Sequence, residues 1–290
     1  MRGKFSTIMY VLCGVIILFS LYTIGQRNYQ NYKEEKKLKE ALQEEQRKEE
    51  ENNNIEKVEP VIEVTSEVVK EEIQEQRQIL SQYKNRYEEN KDFYGWIKTE
   101  DEHIDLPVMY TPQEGRENYY VYRNFDKEYS KSGSIYIDYR CKPESNNYLI
   151  YGHNMKDLSM FGYLSCYKEE SFYKNHKYIK FDTIYEEGEY EIVAISSAFI
   201  KKEDLEDPSS SNNSKVPYKE VGEEDYLFYN HLLLNTKDEF NAYIQYMKDN
   251  SYYETQSTAE YGDKLITLCT CTNTKKWQNE RLLIVAKKIK

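Results

Sequence analysis

Glycine and proline are scarce, at 11 and 6 in 290 residues, which excludes collagen-like and Pro/Gly-rich low-complexity chains. Five cysteines are too few for a disulfide scaffold. Cations are in deficit: 40 Lys and Arg face 51 Asp and Glu, a net charge of −11, whereas nucleic acid as main partner demands the reverse balance to neutralise phosphates. No long apolar run follows the first 25 residues, so the chain is not a polytopic membrane protein. Counted with Gly and without Tyr, apolar residues are about 32% of the chain, below the usual 45–50%. As an average this lies toward the poorly folding end of the range, but an average conceals segments. What is plentiful is tyrosine, with 30 residues, most of them beyond residue 80.

Three segments differ in character. Residues 5–25 carry no charge, and 21 residues at about 1.5 Å each cover a hydrocarbon core of roughly 30 Å. A cleaved signal peptide would have a shorter apolar stretch ending in small residues, which Leu21-Tyr22-Thr23-Ile24 does not supply. The expectation is one uncleaved transmembrane helix within residues 1–26, with the bulk of the chain outside the cell. Residues 27–65 read as a solvated stalk: between Arg27 and Pro60 there are eight Lys or Arg and ten Asp or Glu. From Ser66, the residues Val68, Val69, Ile73, Ile79, Leu80 and Tyr83 recur at helical spacing. An amphipathic helix is expected to open a domain spanning residues 66–290, ample for one core.

Within that domain strand signals dominate. Ser134 to Arg140 alternates, Tyr148 to Tyr151 is a short buried run, and Tyr190 to Ile195, Lys264 to Thr272 and Arg281 to Lys288 follow. Short helices are expected over residues 155–167 and 169–175. A better-marked one starts at Thr236, whose capping box with Glu239 precedes Phe240, Tyr243, Ile244 and Met247 on one face. Residues 202–217 read as an exposed loop. The fold class is mainly β, a barrel or sandwich decorated by helices.

The sharpest chemical feature is Thr267-Leu268-Cys269-Thr270-Cys271. Strand alternation puts Thr267, Cys269 and Cys271 on one face. A polar connection then leads to the strand that begins at Arg281. If the two strands pair, the Arg281 guanidinium reaches the Cys271 thiol, where a cation lowers thiol pKa and offers a donor to a developing oxyanion. A second feature is Tyr151-Gly152-His153-Asn154, a histidine on a strand rim able to act as acid or base. His103, His176 and His231 sit in polar or helix-edge surroundings that read as surface positions. A metal held by Cys269, Cys271 and His153 would have only three ligands at an unusual spacing, so no metal is expected.

Together, Thr-Leu-x-Thr-Cys, Tyr-Gly-His-Asn-Met and an Arg ten residues after the Cys resemble the signature of sortases, membrane-anchored cysteine transpeptidases of Gram-positive bacteria. Gly95-Trp96-Ile97, Ile104-Asp-Leu-Pro107-Val108, Gly133 to Arg140 and Met160 to Leu164 fall in the order seen in class B. The resemblance covers roughly residues 68–290 and implies an eight-stranded β-barrel with an N-terminal helix and peripheral helices. It implies that Cys271 attacks the carbonyl of a Thr in a C-terminal sorting signal to give a thioacyl-enzyme. His153 would protonate the leaving amine and Arg281 would steady the oxyanion. The implied partners are surface proteins bearing the signal and an amino group of a peptidoglycan precursor; no cofactor is implied. Tyr229, within Tyr226 to Tyr229, aligns with one wall of the substrate groove, with core packing an equal reading of that segment, and Val121 with the other; Cys269 and Thr270 border the nucleophile, with a strained Cys269–Cys271 disulfide as the competing reading for Cys269. Class B members often carry an Asp two residues after the Cys, where this chain has Asn273. Release of the acyl-enzyme to water, or a non-catalytic tethered binding protein, are the competing readings.

Overall fold

The computed structural model describes residues 77–204, 216–222, 224–272 and 276–290. The expected anchor, the stalk, most of the opening helix and Asn273 lie outside the described residues.

Eight strands close into one barrel: β1 (Phe93–Thr99), β2 (Asp105–Tyr110), β3 (Ile135–Ile137), β4 (Asn147–Tyr151), β5 (Tyr178–Thr183), β6 (Glu189–Phe199), β7 (Leu265–Cys271) and β8 (Glu280–Lys288). Their order around the barrel is β1-β2-β3-β4-β7-β8-β6-β5, with β5 returning to β1. Two neighbouring pairs, β2–β3 and β4–β7, are parallel; the others are antiparallel. Alternation sets the inner face of β1, where Phe93, Gly95, Ile97 and Thr99 are buried while Tyr94, Trp96 and Lys98 are half-buried. Closure leaves no edge strand among the described residues of the barrel.

Helices lie outside the barrel. Residues 77–80, the described end of the expected opening helix, are not helical, since Leu80 adopts an extended ψ of 133°; a 3-10 turn, Ser81–Tyr83, follows and runs into α1 (Lys84–Glu89). α2 (Glu170–Asn175) matches expectation to within a residue. Residues 155–160 are turns and bends rather than the expected helix, because Leu158 and Met160 adopt positive φ, which no α-helix accommodates. A 3-10 helix, Phe161–Lys168, follows instead. α3 (Lys237–Asp249) carries the complete Thr236–Glu239 capping box and buries Phe240, Tyr243, Ile244 and Met247.

α3 fixes which face of β7 is outward. The Tyr243 hydroxyl lies 2.6 Å from Thr267 Oγ1, and Thr267 in turn donates to Asn147 Oδ1 at 2.9 Å. Alternation then puts Cys269 and Cys271 on that same outer face, past the residue α3 covers.

Candidate active site

β4 and β7 run parallel, in register from Asn147↔Leu265 to Tyr151↔Cys269, so both deliver their C-terminal ends to one end of the barrel. β8 runs antiparallel to β7 and starts there, with Arg281 opposite Cys271. Thus the three residues singled out for chemistry, His153 just past β4, Cys271 ending β7 and Arg281 opening β8, meet in space. They line one recess together with Val121, Tyr136, Gly152, Cys269 and Thr270. Its interior, about 10 Å³, has room for one water molecule.

Each group is held by its surroundings. Arg281 is 4% exposed and its Nη1 donates to the carbonyls of Gln278 and Glu280 at 3.2 and 3.3 Å. The His153 Nε2 lies 2.8 Å from the Val121 carbonyl oxygen. Since a carbonyl only accepts, Nε2 carries a hydrogen and donates it, which leaves Nδ1 as the nitrogen whose protonation can change. The Tyr122 ring flanks the imidazole with centroids 5.3 Å apart. Cys271 is half-buried at its strand end, whereas Cys141 is fully buried. Burial, then the nearby Asp138 charge, push the Cys141 thiol well above its ordinary range, and burial also raises Cys166. Neither is suited to nucleophilic attack.

The remaining sequence-derived residues fall around this recess. Cys269 is buried beneath it, 1% exposed. Thr270 faces the other side of β7, and its hydroxyl donates to the Gly152 carbonyl at 2.7 Å. Val121 contributes its carbonyl to His153 and is itself buried. Tyr229 stands apart from the recess, on a second, roomier cleft of about 400 Å³ that also touches Glu117, Asp138, Arg140, Tyr151 and Asn230. The Tyr229 hydroxyl donates to Asp204 Oδ2 at 2.6 Å, and its carbonyl accepts from Arg140 Nη2 at 2.9 Å. The two spaces adjoin through one row of the sheet: Tyr151 pairs with Tyr136 on one side and Cys269 on the other.

Sequence reasoning gave no role to the Asp138–Arg140 pair. Arg140 grips Asp138 through Nε and Nη2 at 2.9 and 2.7 Å, a two-point contact that also reaches the Tyr229–Asn230 segment. Its signal was present as opposite charges two apart, on one side of the chain. A larger cavity, about 540 Å³, is lined by Tyr148 and Leu265 near the starts of β4 and β7 and therefore lies at the barrel end away from Cys271. Among the described residues no group of three or more His, Cys, Asp or Glu could hold a metal ion.

Comparison with known proteins agrees with this geometry. The sortase domain family model matches residues 109–289. Sortase B of Staphylococcus aureus is 27% identical over 290 residues, 99% of this chain and 98% of that one. Sortase B of Listeria monocytogenes is 30% identical over 200 residues, covering 68% and 70% of the two chains. Among solved structures, sortase B from Bacillus anthracis in complex with AAEK1 superposes with a TM-score of 0.56 at 26% identity, covering 73% of this chain and 86% of that one. Clostridium perfringens sortase B gives 0.54 at 27%, covering 71% and 99%. An eight-stranded barrel that gathers Cys271, His153 and Arg281 at one end, and a family model spanning most of that barrel, lead to one assignment: the chain belongs to the sortase family, in class B.

Proposed function

We propose that Cys271, His153 and Arg281 carry out the cysteine transpeptidation of this class B sortase on proteins bearing a C-terminal sorting signal. The Cys271 thiolate attacks the carbonyl carbon of the signal's Thr, and Arg281 donates hydrogen bonds to the oxygen as it gains charge. His153 gives its Nδ1 proton to the departing amine as the tetrahedral adduct collapses to a thioester. An amino group of a peptidoglycan precursor then attacks the thioester, His153 takes up its proton, and the new amide leaves as the Cys271 thiolate is expelled, which restores the starting thiolate and protonated imidazole. Nucleophile, proton carrier and oxyanion donor are all side chains, so the chemistry calls for no cofactor.

The observation that carries this reading is the convergence of three residues from separate stretches of chain on one recess with room for little more than a reacting group. The adjoining 400 Å³ cleft is the place for the sorting signal, with Tyr229 on one wall and Val121 near the other, and Cys269 and Thr270 bordering the scissile bond. Residues 1–26 are the single-pass anchor and residues 27–65 the stalk that holds the domain of residues 66–290 off the outer membrane surface; this rests on the apolar run at residues 5–25.

The test is incubation of the protein with sorting-signal peptides, with and without an added amine, read by mass spectrometry. Cleavage after Thr with transfer to the amine is expected, and Cys271→Ala should abolish both. Turnover by Cys271→Ala at the parent rate would refute the assignment; cleavage without transfer would make the protein a peptidase. Sedimentation of the full chain with membranes, lost on deletion of residues 1–26, checks the anchor.

A further inference from the structure

The paired backbone of β4 and β7 ends at Tyr151 and Cys269, two residues before each chain reaches its reacting group or its neighbour. Three hydrogen bonds continue the pairing beyond that point. The Gly152 amide donates to the Cys269 carbonyl at 3.2 Å, the Thr270 hydroxyl donates to the Gly152 carbonyl at 2.7 Å, and Asn154 Nδ2 donates to the Cys271 carbonyl at 2.5 Å. The last two are side-chain rungs, made where the two backbones diverge. The Asn154 rung ties the peptide that bears the thiol to the residue next to the imidazole.

Asn154 is itself fixed. Its backbone forms an antiparallel bridge to Met160, and the His153 carbonyl accepts from the Phe161 amide at 3.0 Å, so the segment closes on itself before the 3-10 helix. On the other strand Cys271 is held from the β8 side by its register with Arg281. Asn154 holds it from the β4 side. A residue at a half-buried rim contributes little to the core, yet an error of about 1 Å between reacting groups costs on the order of 100-fold in rate.

We propose that Asn154 is a positioning residue that sets the separation of the His153 imidazole and the Cys271 thiol, an inference that rests on the roles given to those two residues above. Its amide serves as the terminal rung of the β4–β7 pairing.

The experiment uses the full-length chain in detergent with Asn154→Ala, Asn154→Asp and Asn154→Gln. Removal of the donor in Asn154→Ala is expected to lower kcat about 10- to 100-fold with KM within about threefold. Asn154→Asp keeps the shape but turns a donor toward the carbonyl into a second acceptor, and should lose at least as much. Asn154→Gln keeps the donor one methylene further out and should recover part of the rate. In parallel, the pH profile of Cys271 alkylation by iodoacetamide is recorded, since a thiolate steadied by a nearby imidazolium is reactive at lower pH. Its acidic limb should move to higher pH in Asn154→Ala and Asn154→Asp. Alkylation needs no substrate, so it tests the rung even if the parent shows no transpeptidation, and parent turnover against Cys271→Ala tests the underlying roles separately. A kcat within twofold of the parent and an unmoved alkylation profile would overturn the proposal. So would a loss confined to KM, or failure of both donor-removing variants to fold, which would make the hydrogen bond a determinant of the fold instead.

Discussion

Cys271 and Arg281 are the last register pair of the β7–β8 ladder, placed directly across from each other where the two strands part. Directly opposed residues of an antiparallel pair point to the same face, so the guanidinium and the thiol share one side of the sheet as a consequence of the register itself. Moving the register by one residue would send one of them to the barrel interior. The guanidinium's Nη1 is anchored by the Gln278 and Glu280 carbonyls, which aim the fork rather than leave it to solvent. Arg281→Ala is therefore expected to lower kcat by about 10²–10³, the usual effect of losing an oxyanion donor. Arg281→Lys keeps the charge but not the planar fork and should recover less than a tenth of the parent rate. Steady-state kinetics with a sorting-signal peptide and a saturating amine measure both.

Gly133 offers a way to disturb His153 without touching it. Its φ is +57°, and a Cβ built there would lie 2.1 Å from the Val121 carbonyl oxygen, the atom that accepts from His153 Nε2. Gly115 has φ +86° with open space around it, so Gly115→Ala carries the backbone penalty alone, about 1 kcal/mol. Gly133→Ala is expected to lower kcat at least tenfold more than Gly115→Ala at matched temperature below both melting points. Equal activity in the two variants would mean that the Val121 carbonyl does not orient the imidazole.

Tyr229 presents a ring to the 400 Å³ cleft while its hydroxyl is bound to Asp204 and its carbonyl to Arg140. A wall that touches substrate equally before and during reaction contributes to KM and leaves kcat alone. Tyr229→Ala should raise KM for the peptide about tenfold with kcat within about threefold. Tyr229→Phe, which keeps the ring, should cost less than half that effect in logarithmic terms. Peptide titration under saturating amine separates the two constants.

What the sequence made legible was local. The alternation of β7, the hairpin that brings Arg281 to Cys271, and the capping box of α3 follow from neighbours within ten residues, and each is present in the structure. β1, β2 and β5 were not read as strands from their residues: Gly95 and Pro107 interrupt two of them, and the register that tolerates both, with Trp96 opposite Pro107, exists only once the barrel closes. The helix expected over residues 155–167 missed the positive φ of Leu158 and Met160, which turn the chain before the 3-10 helix at Phe161. The Asp138–Arg140 grip on the Tyr229 segment and the Asn154 rung each join residues about 90 and 117 positions apart, and no local pattern encodes such contacts.

His231 provides a pH signature of the loop that carries Tyr229. Its ring stacks on Tyr226 at 4.2 Å, and Tyr226 stacks on Tyr246 of α3 at 4.5 Å, so the imidazole helps fasten the segment to the helix. Burial lowers its pKa below the ordinary histidine value, and the Glu239 charge opposes that only in part. The folded state therefore prefers the neutral ring. The stabilisation is complete above the unfolded value near 6.5 and is lost as pH falls through the lower folded value. His231→Phe keeps the stack and removes the titration. Melting temperature should fall more steeply between pH 7 and pH 5 in the parent than in His231→Phe, by about 1–3 °C, a small effect because the half-exposed ring is screened by water. Identical slopes in the two proteins would show that His231 titrates alike in the folded and unfolded chains.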